Sequence, residues 1–147
     1  MIEFKRGNLF LSECEALGHG NNCEGRAGAG IILQFKQRYP AAISKYVMAC
    51  MAGNFHPGDV LPVKCKDKII VNMATQNKIR RGGNGGARAE WIRKCLEDVR
   101  DNHQKYGFAS IAFPKVGCNL GGLNWHDIRE LFIEIFEDCD LKVEVYE

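Results

Sequence analysis

The stretch "GHGNNCEGRAGAGIILQFKQRYP", residues 18–40, sets five glycines and two adjacent asparagines directly before an apolar run with helical spacing. Glycine weakens the interior of any regular element, so the stretch reads as a strand end, a loop and then a helix. Bare backbone in such a loop lets the main chain approach a bound group without interference from Cβ. A second segment of the same kind, residues 117–122 within "KVGCNLGGLN", leaves the strand-like "ASIAFP" and enters another helical pattern. Each loop offers backbone N–H groups and the positive end of a helix, and two of them side by side suit a single anion. A diphosphate is the natural guest. Neither loop is a standard nucleotide signature, since the first lacks the Lys-Ser/Thr end of a P-loop and "GRAGAG" does not match G-x-G-x-x-G.

Outward from these loops, strand-like and helix-like segments alternate. Residues 2–5 and 16–19 are short strand candidates, and residues 31–38 and 41–51 carry helical spacing broken by Pro40. "GDVLPVKC" and "KIIVNMAT" form two more strands around a polar turn at residues 66–68. "QNKIRRGGNGGAR" has too many glycines for a packed element and reads as a loop. A helix over residues 88–103, the strand "ASIAFP", a helix over residues 125–137 and the strand "LKVEVYE" complete the chain. This order predicts a mixed sheet layered between helices, with ligand bound beyond the carboxyl ends of the strands.

The 147 residues, 46% hydrophobic and 26% charged, suit one domain spanning residues 1–147. A net charge of +2 signals neither a nucleic-acid surface nor a membrane surface, although Lys78, Arg80, Arg81 and Arg88 make a local basic cluster. No run approaches the ~20 apolar residues of a membrane span, and "MIEFKRGNLF" has no signal-peptide core. A cytoplasmic location is expected. The seven cysteines show no CxxC pair and no zinc-like Cys/His spacing, so they are expected as reduced, mostly buried thiols. Cys118 invites a phosphocysteine reading, but that chemistry needs an Arg closing the loop, where Asn124 stands.

Three segments together resemble the macrodomains, a family that binds ADP-ribose and its derivatives: "RGNLFLSECEAL", "GNNCEGRAGAGIILQFKQRYP" and "FPKVGCNLGGLNW". The resemblance covers nearly the whole chain and implies a three-layer α/β/α fold with a mixed central sheet, a small-molecule ADP-ribose derivative as partner, and no metal or cofactor. Nucleic acid enters only as an ADP-ribosylated substrate. By the same resemblance, Asn8 with Leu9 would meet the adenine, Asn8 standing where Asp is common. Asn22 would contact the distal ribose near the reacting atom. Gly28, Ala29, Gly30 and Ile31 would give main-chain donors to the distal ribose and diphosphate, and Val116, Gly117, Cys118, Asn119, Leu120 and Gly121 would wrap the other side. For Asn21 the plainer reading is a loop residue bonding its own backbone.

The family includes phosphatases, glycohydrolases and binders, so differences within the motifs carry the reaction. Glycohydrolases resembling this chain place a Lys after the Thr that ends the middle strand; "NMATQNK" has Gln76 there. Some also use an Asp in the second loop, at the place of Gly121. Gln can neither form a Schiff base nor carry a charge, which leaves Lys78, two residues on, as the candidate for that route. His19 stands where the resembling ADP-ribose 1''-phosphate phosphatases carry a catalytic His, and an imidazole titrating near neutrality suits acid/base work. The sequence therefore predicts hydrolysis of the terminal phosphate of ADP-ribose 1''-phosphate, with His19 and Asn22 as catalytic residues and Arg80 or Arg81 folding over the phosphate. The alternatives are a glycohydrolase acting on ADP-ribosylated protein, nucleic acid or a small acceptor, and a binder without turnover.

Overall fold

The computed structural model describes residues 1–79 and 86–147, so the expectation for Arg80 and Arg81 lies outside the described residues. Its elements are β1 (Ile2–Lys5), a 3-10 turn (Leu9–Leu11), β2 (Ala16–Asn21), α1 (Ile32–Arg38), α2 (Pro40–Met51), β3 (Val60–Lys64), β4 (Ile69–Ala74), α3 (Ala89–Tyr106), β5 (Ser110–Phe113), α4 (Trp125–Phe136) and β6 (Lys142–Tyr146). The strands form one sheet in the order β1-β6-β5-β2-β4-β3. All neighbours pair in parallel except the β3–β4 hairpin, which makes the sheet mixed, as the sequence predicts.

Period-two alternation in the strands builds two cores. Ala16, Val71, Met73, Ile111, Phe113, Val143 and Val145 face α3 and α4. Leu17, Ile70, Ala74 and Ala112 face α1 and α2. The result is the three-layer α/β/α arrangement. Pro40 opens α2 at a position where its missing N–H costs nothing, which turns the chain sharply between α1 and α2. α3 runs three residues beyond its expected end and stops at Gly107, whose positive φ of 100° lets its N–H reach the carbonyls of His103 and Gln104.

β2 also runs two residues further than expected, to Asn21. That extension fixes the parity of its residues. Gly18 sits against Phe113, where a Cβ would lie 2.5 Å from the ring, so no larger residue fits there. His19, on the opposite face, points into the layer beneath α1.

Candidate functional site

A cleft of about 350 Å³ lies over the carboxyl ends of β2, β4 and β5, adjacent strands in the sheet. Its walls are the two glycine-rich loops. The first contributes Asn22, Arg26, Gly28, Ala29, Gly30 and Ile31; the second contributes Lys115, Val116, Gly117, Asn119, Leu120 and Gly121; Thr75 and Gln76 form the floor between them. The charged side chains on the described wall are Arg26 and Lys115, with no carboxylate and no imidazole. Such a wall favours an anion.

The first loop is organised by one side chain. The Asn22 carbonyl oxygen, Oδ1, accepts from the Glu24 N–H at 2.9 Å, the Arg26 N–H at 3.2 Å and the Tyr46 hydroxyl at 2.8 Å. Its Nδ2 donates to the Arg26 carbonyl at 3.0 Å. The start of the loop is tied to the end of β4, with Cys23 N–H donating to Asn77 O at 2.9 Å and Thr75 N–H to Asn21 O at 3.1 Å.

The second loop is organised by its backbone. Leu123 N–H donates to Gly117 O at 2.9 Å, Gly122 N–H to Asn119 O at 3.2 Å, and Ala87 N–H to Gly121 O at 3.3 Å. Gly117 holds a φ of 76°, and a Cβ on Gly121 would lie 2.5 Å from Gly117 O. α4 begins beyond this loop, and Asn124 accepts from Asp127 N–H at its first turn. The residue that excluded a phosphocysteine loop is thus a helix cap, and the loop itself, not the helix end, faces the cleft.

Several expected site residues lie elsewhere. His19 is fully buried. Its ring stacks on Phe35 at 4.0 Å, and Nε2 pairs with Asn72 Oδ1 at 2.9 Å. Because that oxygen only accepts, Nε2 carries the proton and Nδ1 is left without a partner among the described residues. Burial lowers the pKa to about 4 against the opposing bond to Asn72, so the ring is neutral at pH 7. This corrects the expected acid/base role: strand parity turns the imidazole away from the cleft. Asn21 is buried and belongs to the same network, accepting from Met73 N–H at 3.2 Å and donating to Asn72 Oδ1 at 3.4 Å, but unlike His19 it lines the cleft.

Asn8 caps the 3-10 turn by accepting from Phe10 N–H at 2.9 Å, and Leu9 is buried in the core, so both lie off the cleft. Cys118 turns away from the wall; its thiol donates to Val116 O at 3.3 Å, and burial pushes its pKa up to about 11. Lys78 is exposed and off the cleft, whereas Gln76 lines it and donates from Nε2 to Lys78 O at 2.9 Å. Arg26, Lys115 and the Thr75 floor were not singled out from sequence. Arg26 and Lys115 were already inside the two quoted loops, and their proximity to the cleft was the available signal.

Fold and cleft together define a three-layer α/β/α domain with a cleft across the ends of a mixed sheet. The chain belongs to the macrodomain family, whose Macro domain profile matches residues 19–132. It is 31% identical to the DNA ADP-ribosyl glycohydrolase of Mycobacterium tuberculosis, over 99% of this chain and 42% of that protein, so it spans less than half of that relative. It is 26% identical to the human ADP-ribose glycohydrolase OARD1, over 99% of this chain and 90% of that one. The solved macrodomain of Thermus aquaticus DarG superposes with a TM-score of 0.89 at 32% identity, covering 100% of this chain and 98% of that one.

Proposed function

We propose that this macrodomain binds ADP-ribose and hydrolyses the glycosidic bond joining it to an acceptor. In that reaction water adds at C1'' of the distal ribose, the bond from C1'' to the acceptor atom breaks, and the proton released by the water ends on the acceptor. The observation that carries the reading is the cleft itself: two loops rich in N–H donors, two cations and no carboxylate on the described wall suit a diphosphate, and on this reading the Asn22 amide, which lines the cleft, meets the distal ribose. The relatives named above supply the reaction class.

A phosphatase acting on ADP-ribose 1''-phosphate rested on His19, and the burial of that ring removes its support. Lysine-assisted hydrolysis has no lysine at position 76 to draw on, and Lys78 is off the wall. Catalysis on this reading comes from positioning the ribose, from loop donors and from Arg26 and Lys115, with proton transfer left to substrate groups and water. A binder without turnover is the second reading, favoured by the absence of a carboxylate or imidazole on the described wall. Incubation with ADP-ribosylated single-stranded DNA, ADP-ribosylated protein and ADP-ribose 1''-phosphate, followed by separation of products, tests all three. Free ADP-ribose from the DNA or protein substrate supports the glycohydrolase. Phosphate release alone restores the phosphatase, and ADP-ribose binding without any product leaves the binder.

A further inference from the structure

We infer that Tyr46, a buried residue of α2 outside the cleft, is a positioning residue that holds the Asn22 amide at the place on the wall where it meets the ligand. The inference rests on the ADP-ribose reading above. Its basis is a count of hydrogen-bonding capacity at one side chain.

An Asn amide has a carbonyl oxygen that only accepts and two N–H groups that only donate. At Asn22 the oxygen already takes three donors, from Glu24 N–H, Arg26 N–H and the Tyr46 hydroxyl. One N–H is used on Arg26 O. The other N–H has no partner among the described residues, on a side chain that lines the cleft. Asn22 therefore meets a ligand as a donor only. It suits a ribose hydroxyl or ring oxygen acting as acceptor, and it cannot serve as a base.

Two of the three oxygen-directed donors are N–H groups of the loop that Asn22 itself folds, and they move with it. The Tyr46 hydroxyl comes from a rigid helix. It is shared between Asn22 Oδ1 at 2.8 Å and the Asn22 carbonyl at 2.7 Å, so one O–H holds both the side chain and its backbone. The ring is fully buried and packs edge-on against Phe55 at 5.5 Å, which leaves the hydroxyl little freedom to swing. Burial also raises the phenol pKa, so it stays a neutral donor. Flipping the Asn22 amide would turn N–H groups toward the Glu24 and Arg26 N–H groups, which can only donate, so those two set the sense of the amide; the Tyr46 hydroxyl anchors the residue they orient to a rigid helix.

The experiment compares ADP-ribose binding by calorimetry in the wild-type protein, Tyr46→Phe, Asn22→Ala and the double variant. Tyr46→Phe keeps the ring and removes only the O–H. It should weaken binding about 3–10-fold, the range for one neutral hydrogen bond, while in the Asn22→Ala background, where only the bond to the residue-22 carbonyl remains to be lost, the same change should weaken it by a smaller factor. With a substrate that turns over, the Tyr46→Phe loss should appear in kcat as well as KM, because misorientation persists in the bound state. Wild-type affinity in Tyr46→Phe, or losses that multiply in the double variant, overturns the inference while leaving the ADP-ribose reading intact. Failure of the wild-type protein to bind ADP-ribose overturns both. Should Tyr46→Phe not fold, NMR of the Tyr46 hydroxyl proton in wild-type protein decides. A slowly exchanging hydroxyl resonance with a cross-peak to the Asn22 side-chain amide, moving on addition of ADP-ribose, is expected; a hydroxyl in fast exchange with water, or one indifferent to ADP-ribose, overturns the inference.

Discussion

The two walls of the cleft are both glycine-rich, yet they are held by different means. The loop over residues 22–31 is built around one amide, which gathers two of the loop's own N–H groups and a hydroxyl from α2. The loop over residues 114–122 is built from main-chain bonds, with Gly121 standing where a Cβ would strike backbone and Gly117 at a positive φ. A loop folded around a side chain is broken by removing that side chain. A loop folded by close backbone approach is broken by adding an atom. Composition alone makes the loops look alike, and their sensitivity to mutation should be opposite.

The largest effect is expected at Asn22. Asn22→Ala removes the acceptor for three donors and the donor toward the ligand, and should lower turnover about 10–100-fold through lost positioning. It should also destabilise the protein by about 1–3 kcal/mol, because Tyr46 and the loop N–H groups lose their partner. Urea unfolding and a rate measured on the folded variant separate the two parts. A folded variant with wild-type turnover would remove Asn22 from the site.

Next comes Gly121→Ala, which attacks the opposite wall. The added Cβ would lie 2.5 Å from Gly117 O and 2.8 Å from the Ala87 Cβ, so the loop must shift. The expected cost is about 1–3 kcal/mol in stability, as for overpacking elsewhere, with weaker ADP-ribose binding. An unchanged melting temperature and affinity would show that this loop yields freely, and the contrast between the walls would collapse.

Much of this was legible in the sequence, for physical reasons. Hydrophobic periodicity gave the alternation of strands and helices, and the glycine clusters placed both loops at strand ends. What escaped was strand parity. Reading β2 as ending at His19 put the imidazole at the rim, whereas its continuation to Asn21 commits His19 to the face beneath α1. Asn8 and Leu9 stand outside the cleft lining, because a short 3-10 turn uses one as cap and buries the other. Tyr46 gave no signal at all: on α2 its spacing is that of any buried helical residue, and its hydroxyl meets Asn22 only through tertiary packing.

Gly28→Ala sharpens the comparison from the mild side. Gly28 has no positive φ, and a Cβ there would meet nothing within 4 Å. The fold does not require glycine at this position. Alanine should therefore leave stability unchanged or raise it by about 0.4–1 kcal/mol through the unfolded chain. The new methyl lies on the cleft wall, so affinity for ADP-ribose should fall. Equal affinity, measured by calorimetry, would mean that the first loop touches its ligand elsewhere.

The smallest effect on activity is expected at His19, which packs beneath α1 and does not line the cleft. His19→Gln retains an amide donor toward Asn72 Oδ1, and its turnover at pH 7 should stay within about tenfold of wild type, against the roughly 10²–10⁴-fold loss of a general acid or base. The signature of this residue is instead in stability against pH. In the unfolded chain the imidazole takes a proton near 6.5, whereas in the folded protein burial holds it off until about 4. Between those values the unfolded state binds more protons, so stability is fully present above pH 6.5 and declines as pH falls toward 4, by roughly 3 kcal/mol from this group. Glu144 adds a second acid-side loss: burial, which alone raises its pKa, is outweighed by donors from Ser12, Tyr146 and Lys5, and the net shift is downward. That contribution is common to both proteins and cancels when wild type and His19→Gln are compared by urea unfolding at pH 7 and pH 4.5. The variant should lose less stability between the two pH values than wild type does. Equal losses would mean that the imidazole titrates freely in the folded state, and a large fall in turnover at pH 7 would return it to the chemistry of the cleft.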